Sequence, residues 1–308
     1  MLSRIAEQIF WIGRYLERAD DTARILDVQM QVLVEDPSVD EAVSCEQLLT
    51  VMGIEDAPDN VNRWTILDLL AHNADSPNSI ASAIDSARES ARGAREILST
   101  DIWAAINTTW RGVPSARSKR PVDTFAWVRS RMAMINGIAG STMPRDEGWQ
   151  FFVLGRSIER VDMTARMLST AALAEETQVA WPTTLRACGA YEAFIRAYRG
   201  LEGDRQAAEF LLLDRWFPRS IVFSLQEAER ALSLLEARGQ RSGFGDEAQR
   251  LLGRARTELE YRPLPEIVEE LPTEMERLQR RCADASEAIT ARYFSHSEAQ
   301  EWTGGAVL

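Results

Sequence analysis

The sequence predicts an all-α fold: two tandem helical repeats forming a pseudo-twofold multi-helix bundle, with essentially no β-sheet. Three observations carry that expectation. Apolar residues recur at alternating spacings of four and three, one charged helical segment occurs twice, and no stretch sustains the period-two alternation that marks strands and hairpins.

The first helix is read from Ile5, Ile9, Ile12, Leu16, Ala19, Ala23, Leu26 and Met30, which lay one apolar stripe along it. Ser3 is placed to cap its start, and "VEDPSVDEAVS" reads as the loop that follows it. Phe151, Leu154, Ile158, Val161, Ala165, Leu168 and Ala172 repeat the stripe further on. The copies align without a gap: Phe10, Gly13, Arg14, Glu17, Arg18, Asp20 and Arg24 fall on Phe152, Gly155, Arg156, Glu159, Arg160, Asp162 and Arg166. A weaker echo places Pro77, Ser79 and Ile80 on Pro218, Ser220 and Ile221. The economical reading is a single domain over residues 1–294, with repeat 1 at about 1–120 and repeat 2 at about 121–294, followed by a flexible tail at 295–308.

The remaining helices follow in chain order. "SIASAIDSARESARGAREIL" has Ser76 and Pro77 placed to start it. "VDTFAWVRSRMAMINGIAGS" and "YEAFIRAYRG" read as helices that end at glycines. Pro144, Asp146 and Glu147 suit the start of the second Glu-Arg helix, where Trp149 reads as core. "AAEFLLLDRWF" and "SIVFSLQEAERALSLLEARG" come next; "DEAQRLLGRARTELEYRPL" runs to Pro263, and a last long helix starts near Pro272.

Composition narrows the chemistry. With 308 residues and 45% hydrophobic content the chain can build a substantial core, and a net charge of −12 argues against a nucleic-acid binder. Lys119 is the sole lysine, so Schiff-base, Ser-Lys and phosphate-loop chemistry all depend on a residue set in "RGVPSARSKRP", which is unlike a phosphate loop. Cys45, Cys188 and Cys282 are widely spaced and odd in number, as in a reduced, cytoplasmic protein. The opening residues predict no targeting segment, and no apolar run is long enough to span a bilayer. Only His72 and His296 occur, so paired Glu-x-x-His ligands and zincin motifs are absent; no metal and no cofactor is expected, although Glu17 with Asp20 offers an all-oxygen alternative for Mg²⁺ or Ca²⁺.

The candidate site is the doubled motif itself: Arg14, Glu17, Arg18, Asp20 and Arg24 in one copy, Arg156, Glu159, Arg160, Asp162 and Arg166 in the other. At about 100° per residue, Arg14 lies almost opposite the apolar stripe and Glu17 roughly 120° from it, while Phe10 and Ile25 also lie on the far side. A helix with large apolar groups there is buried on more than one face. Gly13 and Gly155 each lie one turn before the glutamate, where close approach of a helix or ligand explains a residue that costs about 1 kcal/mol against alanine. One reading is a buried ion-pair network, with Glu17 facing Arg160 and Glu159 facing Arg18. The other is a cleft in which these groups hold a cation, an amine or a carboxylate-bearing substrate. Asp20 with Arg24 and Asp162 with Arg166 are i,i+4 pairs. A second feature, Arg88, Arg92 and Arg95, is an anion-binding row along one helix side, or else a solvated face; its counterparts in the second half are Glu229, Ser233 and Glu236.

"WIGRYLERADDTARIL", "SARESARGARE", "RDEGWQFFVLGRSIERVDMTARML" and "LLLDRWFPRSIVFSL" together resemble the alpha-E family, bacterial helical proteins with a Glu-Arg motif, from Met1 to about Phe294. The resemblance implies a companion of circularly permuted ATP-grasp proteins, to which such chains are sometimes fused, and of transglutaminase-like proteins. It makes Glu17, Arg18, Glu159 and Arg160 the signature positions. The implied role is a helical accessory or substrate-presenting subunit of an amide- or peptide-bond-forming system. The alternatives are an autonomous amide-forming or amide-cleaving enzyme using Glu17 or Glu159, and a structural scaffold.

Overall fold

The computed structural model of the chain describes residues 1–54, 56, 58–173, 180–199, 203–236 and 246–294. The expected tail at 295–308, with His296, lies outside them. The described residues are all-α and contain no strand. No described helix is long and apolar enough to cross a membrane. The described residues divide into two compact units, one of Tyr15–Met143 and the other of Met1–Arg14 with the described residues from Pro144 to Phe294. The first helix, α1 (Ser3–Glu35), supplies residues to both. Its whole predicted stripe from Ile5 to Met30 is buried, and so are Phe10, Trp11 and Ile25 on the other side. Leu2, rather than Ser3, closes its start, because the Leu2 carbonyl accepts from the N–H groups of Ile5 and Ala6.

The Tyr15–Met143 unit continues with α2 (Glu41–Val51), α3 (Arg63–Leu67), a π-helical turn at Asp68–His72, α4 (Ile80–Gly93), α5 (Thr100–Arg117) and α6 (Pro121–Thr142). Helices α4, α5 and α6 pack in sequence, and Arg129 of α6 reaches Asp27 of α1 at 3.0 Å. Several boundaries differ from the expectation. The loop after α1 is shorter than expected, because the Asp40 carboxylate accepts from the N–H groups of Ala42 and Val43 and starts α2 within the expected loop. Ser79, not Ser76 with Pro77, caps α4: its hydroxyl accepts from Ser82 N and donates to the Asn73 carbonyl. Helix α6 passes through Gly137 and Gly140 and stops at Met143, so the glycines do not end it. Helix α5 has Gly112 and Pro114 in its last turns; a Cβ on Gly112 would stand 2.7 Å from the Trp127 ring, so the glycine admits α6.

The other unit is built on α7 (Glu147–Leu173), α8 (Ala180–Ala187), α9 (Tyr191–Tyr198), α10 (Asp204–Leu213), α11 (Ile221–Leu235), α12 (Glu247–Tyr261), α13 (Leu264–Glu269) and α14 (Leu271–Tyr293). Helix α7 packs on α11 and α14, and α12 packs on the same two, so the four close into a ring around Leu154, Ile158, Leu225, Leu232, Leu252 and Ile289. Asp146 caps α7 through Gly148 N and Trp149 N, displacing Pro144 from the expected first turn. Trp149 is half-buried under the Arg145 guanidinium. Ser220 caps α11 with the bonding of Ser79: it accepts from Phe223 N and donates to the Asp214 carbonyl, each partner 141 residues beyond its counterpart.

Candidate functional site

The glycines of the two motifs are a mutual notch. A Cβ on Gly13 would collide with the Phe152 carbonyl, and one on Gly155 would collide with the Phe10 carbonyl. Phe10 and Phe152 are themselves motif equivalents, so the first turns of α1 meet α7 backbone to backbone in a reciprocal contact. The close approach expected at these glycines is therefore that of a helix.

Beside this notch Arg14 is fully buried, at 0% exposure. Its Nε donates to Glu159 Oε2 at 2.7 Å and its Nη1 to Ser286 Oγ at 3.2 Å. Ser286 gives its own proton to the Cys282 carbonyl at 2.8 Å, which leaves its oxygen to accept from the arginine. The guanidinium carbon lies 5.4 Å from the Trp11 ring and 6.0 Å from the Phe10 ring. Glu159 is 1% exposed, so this pair sits where losing one partner strands a charge away from water. Arg14 is a partner of Glu159 that the sequence reading did not name, and the notch brings the start of α1 against α7 at that level. Burial, aided by the Asp162 carboxylate and opposed by Arg14, pushes the Cys282 thiol far above its usual range and keeps it protonated.

The other motif residues take distinct places. Asp162 and Arg166 pair at 2.8 Å, both buried, and Arg160 Nη1 donates to the Pro218 carbonyl at 3.0 Å, ahead of α11. Thr164 donates to the Arg219 carbonyl beside it, so the second motif also positions the start of α11. Arg156 lies near the Phe152 ring. In the Tyr15–Met143 unit, Asp20 pairs with Arg24 at 3.1 Å and Arg18 lies near the Tyr15 ring. Glu17, Asp20 and Asp21 are all buried, and each offers a carboxylate oxygen within 4.8 Å of the others. The i, i+3, i+4 spacing puts them on one helix face, and an all-oxygen set of this kind suits Mg²⁺ or Ca²⁺. Asp21 was missed in the sequence, although it stands four residues from Glu17; Ser286 had no signal there at all.

The arginine row does not form as expected. Helix α4 ends at Gly93, so Arg95 falls in the turn beyond it, against the Trp103 ring. Arg88 lies 4.0 Å from the Trp110 ring centroid and binds Glu89 and Asn107, and Arg92 also binds Glu89. These guanidiniums are held by aromatic faces and by a shared glutamate.

An all-helical protein with a pair of glycine-notched Glu-Arg helices is the class that fold and site define. The chain belongs to the Alpha-E family, described as "a predicted alpha-helical domain with a conserved ER motif", which it matches over residues 1–294. Similar proteins are an uncharacterized protein of Mycobacterium bovis and its counterparts in two strains of Mycobacterium tuberculosis. Each is 26% identical over 298 residues, an alignment covering 87% of this chain and 33% of the relative. The chain thus spans about a third of the length of these relatives. No solved structure matches it.

Proposed function

We propose that the chain is a helical accessory, substrate-presenting module of an ATP-grasp-type amide- or peptide-bond-forming system, working in the cytoplasm beside a circularly permuted ATP-grasp protein, with a transglutaminase-like protein as a second partner. The observation that carries this reading is the coverage of the mycobacterial relatives: the module makes up 33% of chains that hold much else, as expected for a unit that acts alongside other segments. The family resemblance supplies the chemistry of the partner. The motif supports an accessory role for a physical reason. Glu17 and Glu159 are each 1% exposed, whereas a general acid or base must come within hydrogen-bond reach of its substrate. The test is copurification with a circularly permuted ATP-grasp protein, with ligase turnover measured with and without this chain. A complex with raised turnover is expected; no complex and unchanged turnover overturn the reading.

A second reading, a scaffold without substrate contact, is favoured by the sealed Arg14–Glu159 pair. Glu17→Gln and Glu159→Gln separate it from the autonomous-enzyme reading. Loss of folding in both supports the scaffold, and a folded variant without activity supports an enzyme.

A further inference from the structure

Charge is unevenly spread along the chain. From Ile102 to Met143 the only acid is Asp123, while the cations are Arg111, Arg117, Lys119, Arg120, Arg129 and Arg131, in a chain whose net charge is −12. This stretch makes up the α5–α6 hairpin, and part of its positive charge is used within the fold. Arg129 pairs with Asp27 at 3.0 Å, and Arg131 donates to Thr109 Oγ1 at 2.9 Å. Arg120 forks onto Asp123, with Nε 2.8 Å from Oδ2 and Nη2 3.2 Å from Oδ1, so the one acid of the stretch is taken. Arg111, Arg117 and Lys119 are left, each exposed and without an ion pair among the described residues.

The three cations stand on a fixed end of the hairpin. The Ala116 carbonyl accepts from Lys119 N at 3.0 Å and from Thr124 Oγ1 at 2.7 Å, which ties the end of α5 to the first turn of α6. Ser118 Oγ donates to the Ser115 carbonyl at 2.8 Å and closes the last turn of α5. Arg111 and Ser118 are two turns apart on one side of the helix, about 10 Å along its axis, and Lys119 follows directly. The helix dipole accounts for a cation in the last turn of α5, such as Arg117. It does not account for Arg111, more than a turn earlier, and it disfavours Lys119 just ahead of the positive end of α6.

We infer that the α5–α6 end is a docking surface for an acidic peptide segment of a partner protein, its carboxylates paired with Arg111, Arg117 and Lys119 and an apolar side chain set on the exposed Val122 and Pro114. The span from Arg111 to Lys119 matches about three residues of extended peptide, so carboxylates near the two ends of such a segment reach both cations. A nucleic-acid duplex fits less well. Its charges recur about every 1.7 Å, three cations neutralise few of them, and the chain's net charge of −12 repels the rest of its length. An anionic membrane calls for a denser basic cluster beside larger apolar groups than Val122 and Pro114. The surface does not depend on the ligase partnership proposed above.

The experiment is titration of the full chain with the peptide acetyl-Glu-Glu-Leu-Glu-Glu-amide, followed by calorimetry and by amide chemical shifts. Saturable binding at millimolar concentration or tighter is expected, with shifts at the end of α5 and the start of α6, and with affinity that falls as salt rises from about 50 to about 200 mM. Lys119→Glu or Arg117→Glu weakens it about fivefold or more, since each replaces an attraction by a repulsion. Arg205→Glu, which changes the net charge equally at an exposed position of α10, leaves the affinity unchanged and shows that the effect is local. All three side chains are exposed, and an unaltered Tm checks that each variant is folded. Absence of saturable binding overturns the proposal, and so does an equal loss in Arg205→Glu. Tighter binding of phosphatidylglycerol vesicles or of single-stranded DNA at the same ionic strength overturns it in favour of those partners.

Discussion

At Arg14 a guanidinium without solvent contact touches the Glu159 carboxylate, the Ser286 hydroxyl and the Phe10 and Trp11 rings. Desolvating two charges offsets most of their attraction, so the pair adds little to stability over an apolar pair of equal volume, yet removing one partner leaves the other charge buried. Arg14→Met is therefore expected to cost about 3–5 kcal/mol. Glu159→Met should cost a similar amount, while the double variant recovers much of the loss. Denaturant unfolding of the three proteins checks this; additive losses in the double variant would show that the two charges are not coupled. The notch is a steric matter. Gly13→Ala or Gly155→Ala sets a methyl against a carbonyl that is fixed inside the opposing helix, and is expected to destabilise by about 3 kcal/mol or more despite the better helix propensity of alanine. An unchanged Tm in either variant would refute the close contact.

Among the helices, the caps show how short-range chemistry places long elements. Ser79 and Ser220 each accept from an N–H in the first turn and donate to a carbonyl six residues back, which fixes both the start of the helix and the loop leading to it. Ser79→Ala or Ser220→Ala is expected to cost about 1 kcal/mol or somewhat more, since the back-bond is lost with the cap. Replacement by threonine, which keeps the hydroxyl, should restore most of it, and thermal unfolding of the four variants measures both effects. The reading of α4 from Ser76 and Pro77 missed this start, because a proline can open a helix but the bonded hydroxyl decides where it opens. Helix α5 was hidden for a related reason. Gly112 and Pro114 look like breakers in isolation, but Gly112 makes room for Trp127 and Pro114 falls in the last turn.

Across the whole molecule, acid sensitivity should reflect ion pairs as much as the core. The Glu41 carboxylate accepts from Arg63 N, Nε and Nη2, and these bonds hold it at about 2, well below its usual 4.5. The sign follows from linkage: a carboxyl lowered on folding adds stability in full above 4.5, and that stability is lost as the pH falls toward 2. The Tm advantage of the native protein over Glu41→Gln should accordingly shrink across that window; a constant difference would show that the pair is not linked to folding. Much of the fold was legible because helix periodicity is local: the stripe from Ile5 to Met30 names the buried face whatever packs on it, and the recurrence of Gly13 as Gly155 announces a close approach. What packs there was not legible. That Arg14 meets Glu159 and Ser286, and that water is excluded from the pair, depends on helices contributed by residues 145 and 272 positions away. Burial and charge pairing belong to neighbours brought together in space, so only the packed structure decided which of the motif's charges hold helices together.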